Sequence, residues 1–366
     1  MKKSKLKIAV VSAALVVAAV TGTACASPDS GNATGSGSHK TQTEQNGQVE
    51  GDEQEAAGLI EADGANVFPH SLDFDPRSQT FFAGSLGQGK VFSVDTDGKV
   101  TTHIDDPELV SAQSVLVDRE RERLLVSNVD YGTAERSNPE APFGIAGVGS
   151  YDLATGEQHW CVDLTGVALD GKQHLIADVT VAPDGTAYAV DQLTPTVFAI
   201  DTDGNASVFL RHDLLEGDLD IPDFLNGVGM SAVDWVEGDL LIISMADGSL
   251  VRVPLDRPED AEKVELSAPL AAPTAGMRVL EDGSILAVSS GLLTGEPARI
   301  QHMEPGDGWK EATVTVTDTV ADPVTSDVTV GPEGRTYALS GGLADLLAGL
   351  PNDGFTLTPV TTGLTR

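Results

Sequence analysis

The chain has 366 residues, 56 of them acidic against 22 basic, and a formal net charge of −34. That balance argues against nucleic acid as a partner, because a phosphate backbone demands a basic surface, and against direct adsorption to anionic lipid headgroups. Its two cysteines, Cys25 and Cys161, lie far apart, so a disulfide framework is excluded as the basis of the fold.

In chain order, the first predicted element is an export signal. Lys2, Lys3, Lys5 and Lys7 precede a run over residues 8–20 that is apolar apart from Ser12, and Thr21, Gly22, Thr23, Ala24 and Cys25 follow. A basic start, a short apolar run and small residues before a cut site have that order. The run falls short of the roughly 20 residues of a membrane-spanning helix. A cysteine directly after small residues resembles the bacterial lipoprotein signal, which implies lipidation of Cys25 as the mature N-terminus and membrane contact through that anchor alone. Secretion with cleavage nearby is the alternative. Residues 26–57 are Ser, Gly, Asn, Thr, Gln and Glu with almost nothing apolar, a composition that cannot offset its ordering entropy and predicts a tether. The organisation expected is therefore a signal peptide at 1–24, a lipidated cysteine and linker at 25–57, and a folded domain at 58–366.

Within that domain one phrase recurs. "DVTVAPDGTAYAV" starts at Asp178 and "DVTVGPEGRTYAL" at Asp327; looser copies start at His70, Gln113, Asn226 and Thr274. Each reads as two short strands around a tight turn, as at Asp184-Gly185, Asp282-Gly283 and Glu333-Gly334. A third strand follows most pairs, such as "KVFSVDTDG" from Lys90 and "TVFAIDTDG" from Thr196, and then a weaker fourth, such as "KVTTHI" from Lys99. Four strands repeating roughly every 50 residues predict an all-β fold, a six-bladed β-propeller of four-stranded antiparallel blades. Leu59 and Ile60 are expected to pair with residues 355–360 and close the ring. Helical periodicity is confined to residues 343–350. Cys161 reads as a small core residue.

Two motifs look chemical and are not. Gly84, Gly89 and Lys90 have the spacing of a phosphate-binding loop, but Val91 stands where that loop needs Ser or Thr and begins a strand. "DTDG" at Asp95 and again at Asp201 lacks the further acidic ligands of a calcium loop.

A propeller gathers the starts of its innermost strands around one mouth of the axis, so His70, Gln113, Asp178, Asn226, Thr274 and Asp327 become neighbours, with His174 close by. Asp178 and Asp327 have a second reading there, as acceptors for backbone N–H groups at strand starts.

"FPHSLDFDPRSQTFFAGSLGQGKVFSVDTDGK", "RLLVSNVDYGTAERS", "YDLATGE", "HLIADVTVAPDGTAYAV" and "FLNGVGM", spread over residues 67–339, resemble the gluconolactonase, regucalcin and senescence-marker-protein family. The resemblance implies a six-bladed propeller, with sugar-lactone hydrolysis at a divalent ion held on the axis by a Glu, two Asn and an Asp. Carried over residue by residue, the Glu position holds His70, the first Asn position Ala177 and the Asp position Ala275; only Asn226 matches. A hard calcium ion wants oxygen ligands, and Asn226 with Asp178 is a thin set. Asp178 and Asp327 together with His70 and His174 would form a different site, one better suited to zinc. Two functions are therefore expected to compete. One is a surface lipoprotein that binds a small molecule or an envelope protein, the latter through the loop at residues 132–147, with Asn226, Asp327, His174, Gln113 and Thr274 as ligand contacts. The other is a lactone or ester hydrolase with Asp178 or His70 as base.

Overall fold

The computed structural model describes residues 58–138, 140–216 and 228–361. Cys25 and Asn226 lie outside the described residues, as do the whole of the expected signal peptide at 1–24 and the expected linker at 25–57.

Six sheets are present among the described residues, and in four of them the strands lie side by side in sequence order. Blade one is Pro69–Asp75, Thr80–Ser85, Val91–Val94 and Val100–Ile104. Blade two is Ser111–Asp118, Arg123–Val129, Ala146–Asp152 and Gln158–Asp163; blade three is Ile176–Val181, Ala187–Asp191, Thr196–Ile200 and Ala206–Arg211. Blade four is Met230–Val236, Asp239–Ser244, Leu250–Pro254 and the short Glu262–Lys263. Blade five is Thr274–Val279, Ile285–Ser289, Ala298–Gly306 and Glu311–Val320, with Glu265–Leu266 added in parallel on its outer edge. That fifth strand was not anticipated; two residues carry no readable periodicity.

Blade six closes the ring. Its inner three strands, Asp327–Val330, Thr336–Ser340 and Gly354–Val360, come from the end of the chain, and its outermost, Ile60–Asp63, comes from the start. Ile60 pairs with Leu357 and Asp63 with Gly354, as the expected latch requires. Closure leaves no terminal blade with an uncovered face. The helical segment near residue 343 is Leu343–Ala348, capped at both ends by glycines in the left-handed region, Gly342 and Gly349.

Strand two of each blade is almost wholly buried, because neighbouring blades cover both of its faces. Leu124, Leu125 and Val126, and likewise Leu240, Leu241, Ile242 and Ile243, are all at most 1% exposed. Such continuous apolar runs are the mark of a doubly covered strand. The outermost strands alternate instead. In Gln158–Asp163 only Trp160 and Val162 turn inward, so Cys161 is exposed rather than in the core.

Candidate functional site

The inner strands line the axis. Five of the six slip register against their partner strand near the mouth, between Pro69 and Ser71, Ala112 and Val115, Ile176 and Asp178, Met230 and Ala232, and Thr274 and Met277. Bulges of this kind re-aim side chains and recur beside binding sites. Here they release His70, Gln113, Ala177, Ser231 and Ala275 from the ladder, in a ring around the mouth.

Below this ring, carboxylates join blade to blade. Asp178 Oδ2 accepts from Val233 N at 3.0 Å, while its Oδ1 accepts from Ser114 Oγ at 2.6 Å and from its own neighbour Val179 N at 2.9 Å. Asp327 repeats the pattern on Leu72 N at 3.0 Å and Val328 N at 2.8 Å. So do Asp73, on Val117 N and Phe74 N, and Asp234, on Val279 N and Trp235 N. Each carboxylate thus accepts from the N–H of the residue that follows it and from one on the inner strand of the next blade. The sequence placed Asp178 and Asp327 either at the axis or as strand-start acceptors, and they are both. Gly276 is required beside Asp327, since any side chain there would collide with that carboxylate.

One cation sits among these acids. The Arg278 side chain, 18% exposed, has Nη2 3.7 Å from Asp73 Oδ1. Burial works against its charge, but the fields of Asp73, Asp234, Asp327 and Asp178 outweigh it and raise its pKa. Burial dominates for two of the acids. Asp178 is pushed up to about 7, opposed by its Ser114 hydrogen bond, and Asp327 to about 6, opposed by Arg278. Asp73, Asp234 and Arg278 escaped the sequence reading. A signal was present: Asp73, Thr180, Asp234, Arg278 and Thr329 occupy one column when the inner hairpins are aligned, and Thr180 and Thr329 bond Asp234 and Asp73.

The cavity among Ser71, Asp178, Thr180, Asp234, Arg278 and Asp327 has room for about one water molecule. A sugar ring does not fit, so any larger ligand stays at the mouth. There His70, half-buried, hydrogen-bonds the backbone of Gln113, and burial pushes its imidazole down to about 4, leaving it neutral near pH 7. Gln113 Oε1 accepts from the Tyr131 hydroxyl at 3.0 Å. Tyr131 stands edge-on to Phe143, on a loop that Arg136 pins by donating to the carbonyls of Gly89, Asp106 and Leu109.

The other candidates are otherwise engaged. His174 is 1% exposed, with Nδ1 2.5 Å from Asp191 Oδ2 and Nε2 3.1 Å from Asp170 Oδ1. Two flanking carboxylates require both nitrogens to donate, and the Asp191 hydrogen bond raises its pKa despite burial. No ring nitrogen remains for a ligand. Thr274 donates its hydroxyl to the Ser244 carbonyl at 2.6 Å.

The residues present do not suit the divalent ion that the resemblance implies. Ala177 and Ala275 bring no donor atom, and three of the four lone-pair sites of Asp178 are taken by the hydrogen bonds above. Among the described residues, no group of three or more His, Cys, Asp or Glu is placed to hold one ion.

Fold and site together define a six-bladed β-propeller with a polar, carboxylate-stapled axis. The major allergen Mala s 1 of Malassezia sympodialis is similar to it, with a TM-score of 0.68 and 14% identity over 84% of this chain and 97% of that one. A luciferin-regenerating enzyme aligns with a TM-score of 0.53 and 12% identity, over 82% and 95% of the two chains. A gluconolactonase from Xanthomonas campestris aligns with a TM-score of 0.51 and 15% identity, over 83% and 88%. At such identities the likeness shows a shared fold. No family model matches the chain, and no curated protein does.

Proposed function

We propose that this domain is a binding propeller, held at the cell surface by a lipid on Cys25, whose axial mouth takes a small uncharged molecule rich in hydrogen-bonding groups. The chemistry of the mouth carries this reading. Neutral His70, Gln113 and the Tyr131 hydroxyl offer donors and acceptors there, while Ala177 and Ala275 remove the oxygens that lactone-hydrolysing relatives are expected to use. A His70 imidazole pushed down to about 4 is also too weak a base for work near neutrality. Sugar lactones and their open-chain acids, titrated by calorimetry, are the first probes. Saturable binding of the lactone without turnover is expected, weakened about tenfold by Gln113→Ala through loss of one hydrogen bond in a dry site. Metal-dependent hydrolysis by the purified domain would overturn the reading. The anchor is checked separately: Cys25→Ser should move the protein from the membrane fraction to the medium.

Hydrolysis of a lactone or related ester is the second reading, and Asp178 favours it. A carboxylate with a pKa of about 7 is matched to taking a proton from an attacking water, and one lone-pair site on its Oδ2 is unused. The same assay, run with and without added calcium or zinc, decides. Under this reading Asp178→Asn abolishes turnover.

A further inference from the structure

We propose that Arg278 is the resident cation of the propeller axis, a built-in counter-charge that ties together carboxylates from four blades where the resemblance calls for a metal ion. The six inner strands converge on it with unequal chemistry. Asp73 comes from blade one, Asp178 from blade three, Asp234 from blade four and Asp327 from blade six; blade two brings no charge, only the apolar Val115 and Leu116 and the Ser114 hydroxyl that bonds Asp178. Arg278, on blade five, is the one residue on the axis with a positive charge among the described residues lining the cavity.

Those four carboxylates do the stapling between blades, so their mutual repulsion acts directly on the closure of the ring. Without a cation, four acids crowded around a space about one water wide would push blades one, three, four and six apart. A divalent ion could compensate them, and so can a guanidinium, which is the more weakly hydrated cation and easier to bury. Arg278 is held there by charge rather than by a fitted fork. Its nearest acidic oxygen is at 3.7 Å, and its Nε has no acceptor among the described residues. A positive charge, more than the shape of the guanidinium, is therefore what this position requires. The position follows ring closure and not local sequence: Asp73 and Arg278 are about 200 residues apart.

Thermal unfolding of the full chain tests this, with four variants. Arg278→Met, isosteric along the stem but uncharged, should lower Tm by roughly 10 °C, the scale expected when one partner of a buried ion network is removed. Arg278→Lys should retain most of that stability. Adding Asp73→Asn and Asp234→Asn to Arg278→Met should restore much of the loss, although the same pair alone lowers the Tm of the parent. An unchanged Tm in Arg278→Met, or asparagines that deepen its loss, would overturn the assignment. A second measurement holds even where Arg278→Met fails to fold. The parent protein should show no bound divalent metal by elemental analysis and no change in Tm on chelation; one equivalent of metal with a chelator-sensitive Tm would refute the proposal. Neither readout depends on whether the mouth binds a ligand.

Discussion

At the scale of single residues, the axis sets structure against charge. Asp178 and Asp327 join blades through backbone N–H groups, yet burial lifts them to about 7 and about 6, from an ordinary value near 3.8. Because these folded-state values are raised, the two carboxyls hold more protons in the native protein than in the unfolded chain between roughly pH 4 and pH 7, and their contribution to stability falls as pH rises through that window. The stabilisation from this pair is complete below the unfolded value and is lost on passing 6 and then 7. We therefore expect Tm to decrease between pH 5 and pH 8, and Asp178→Asn to flatten that slope. A Tm that climbs over the same range would show that the carboxylates are ionised throughout. The sequence made Asp178 and Asp327 legible because both open a repeated phrase. Arg278 is easily missed, since in "TAGMRVLEDG" alone it reads as one more polar residue on an alternating strand, and only the alignment of the inner hairpins puts it in one column with Asp73 and Asp234. Only the closed ring supplies its four partners. His174 illustrates the opposite error: a histidine near a strand start looked available, but Asp170 and Asp191, 4 and 17 positions away, take both its nitrogens.

At the scale of elements, the repeated inner hairpin was the most readable feature, because its turn dipeptides and apolar alternation are local properties. The packing of one hairpin on the next is not local, and it decides stability. Phe81, wholly buried on the second strand of blade one, lies 4.7 Å from the ring of Phe74 and 5.6 Å, edge-on, from that of Tyr337 in blade six. It therefore fills the seam where the ring closes. Phe81→Ala should cost about 3–5 kcal/mol, the range for removing a buried aromatic ring. Denaturant titration should show that loss in the midpoint with an unchanged slope, since the folded surface is hardly altered. The outer strands were less legible. Glu265–Leu266 is too short to announce itself, and Cys161 lies on an edge strand whose inward positions go to Trp160 and Val162.

At the scale of the whole molecule, the ring depends on four residues from the start of the domain. Ile60–Asp63 supplies the outer strand of blade six, and just beyond it Gly64 N donates to Asp353 O at 2.9 Å and Asn66 N to Asn352 O at 2.7 Å. Ile60 and Ala62 are buried there, at 6% and 2% exposed. If this strand alone closes the circle, placing charges at its two buried positions should open blade six before any other part unfolds. Ile60→Asp combined with Ala62→Asp is expected to abolish hydrogen-exchange protection in Gly354–Val360 while the inner strands of blades two and three keep theirs. The mouth would lose its geometry at the same time, because Asp327 of blade six could no longer hold Leu72 N of blade one. Uniform loss of protection around the ring would instead mean that the axial staples, and not the terminal strand, limit opening. Arg278 and its four carboxylates would then hold the circle shut from the centre outward.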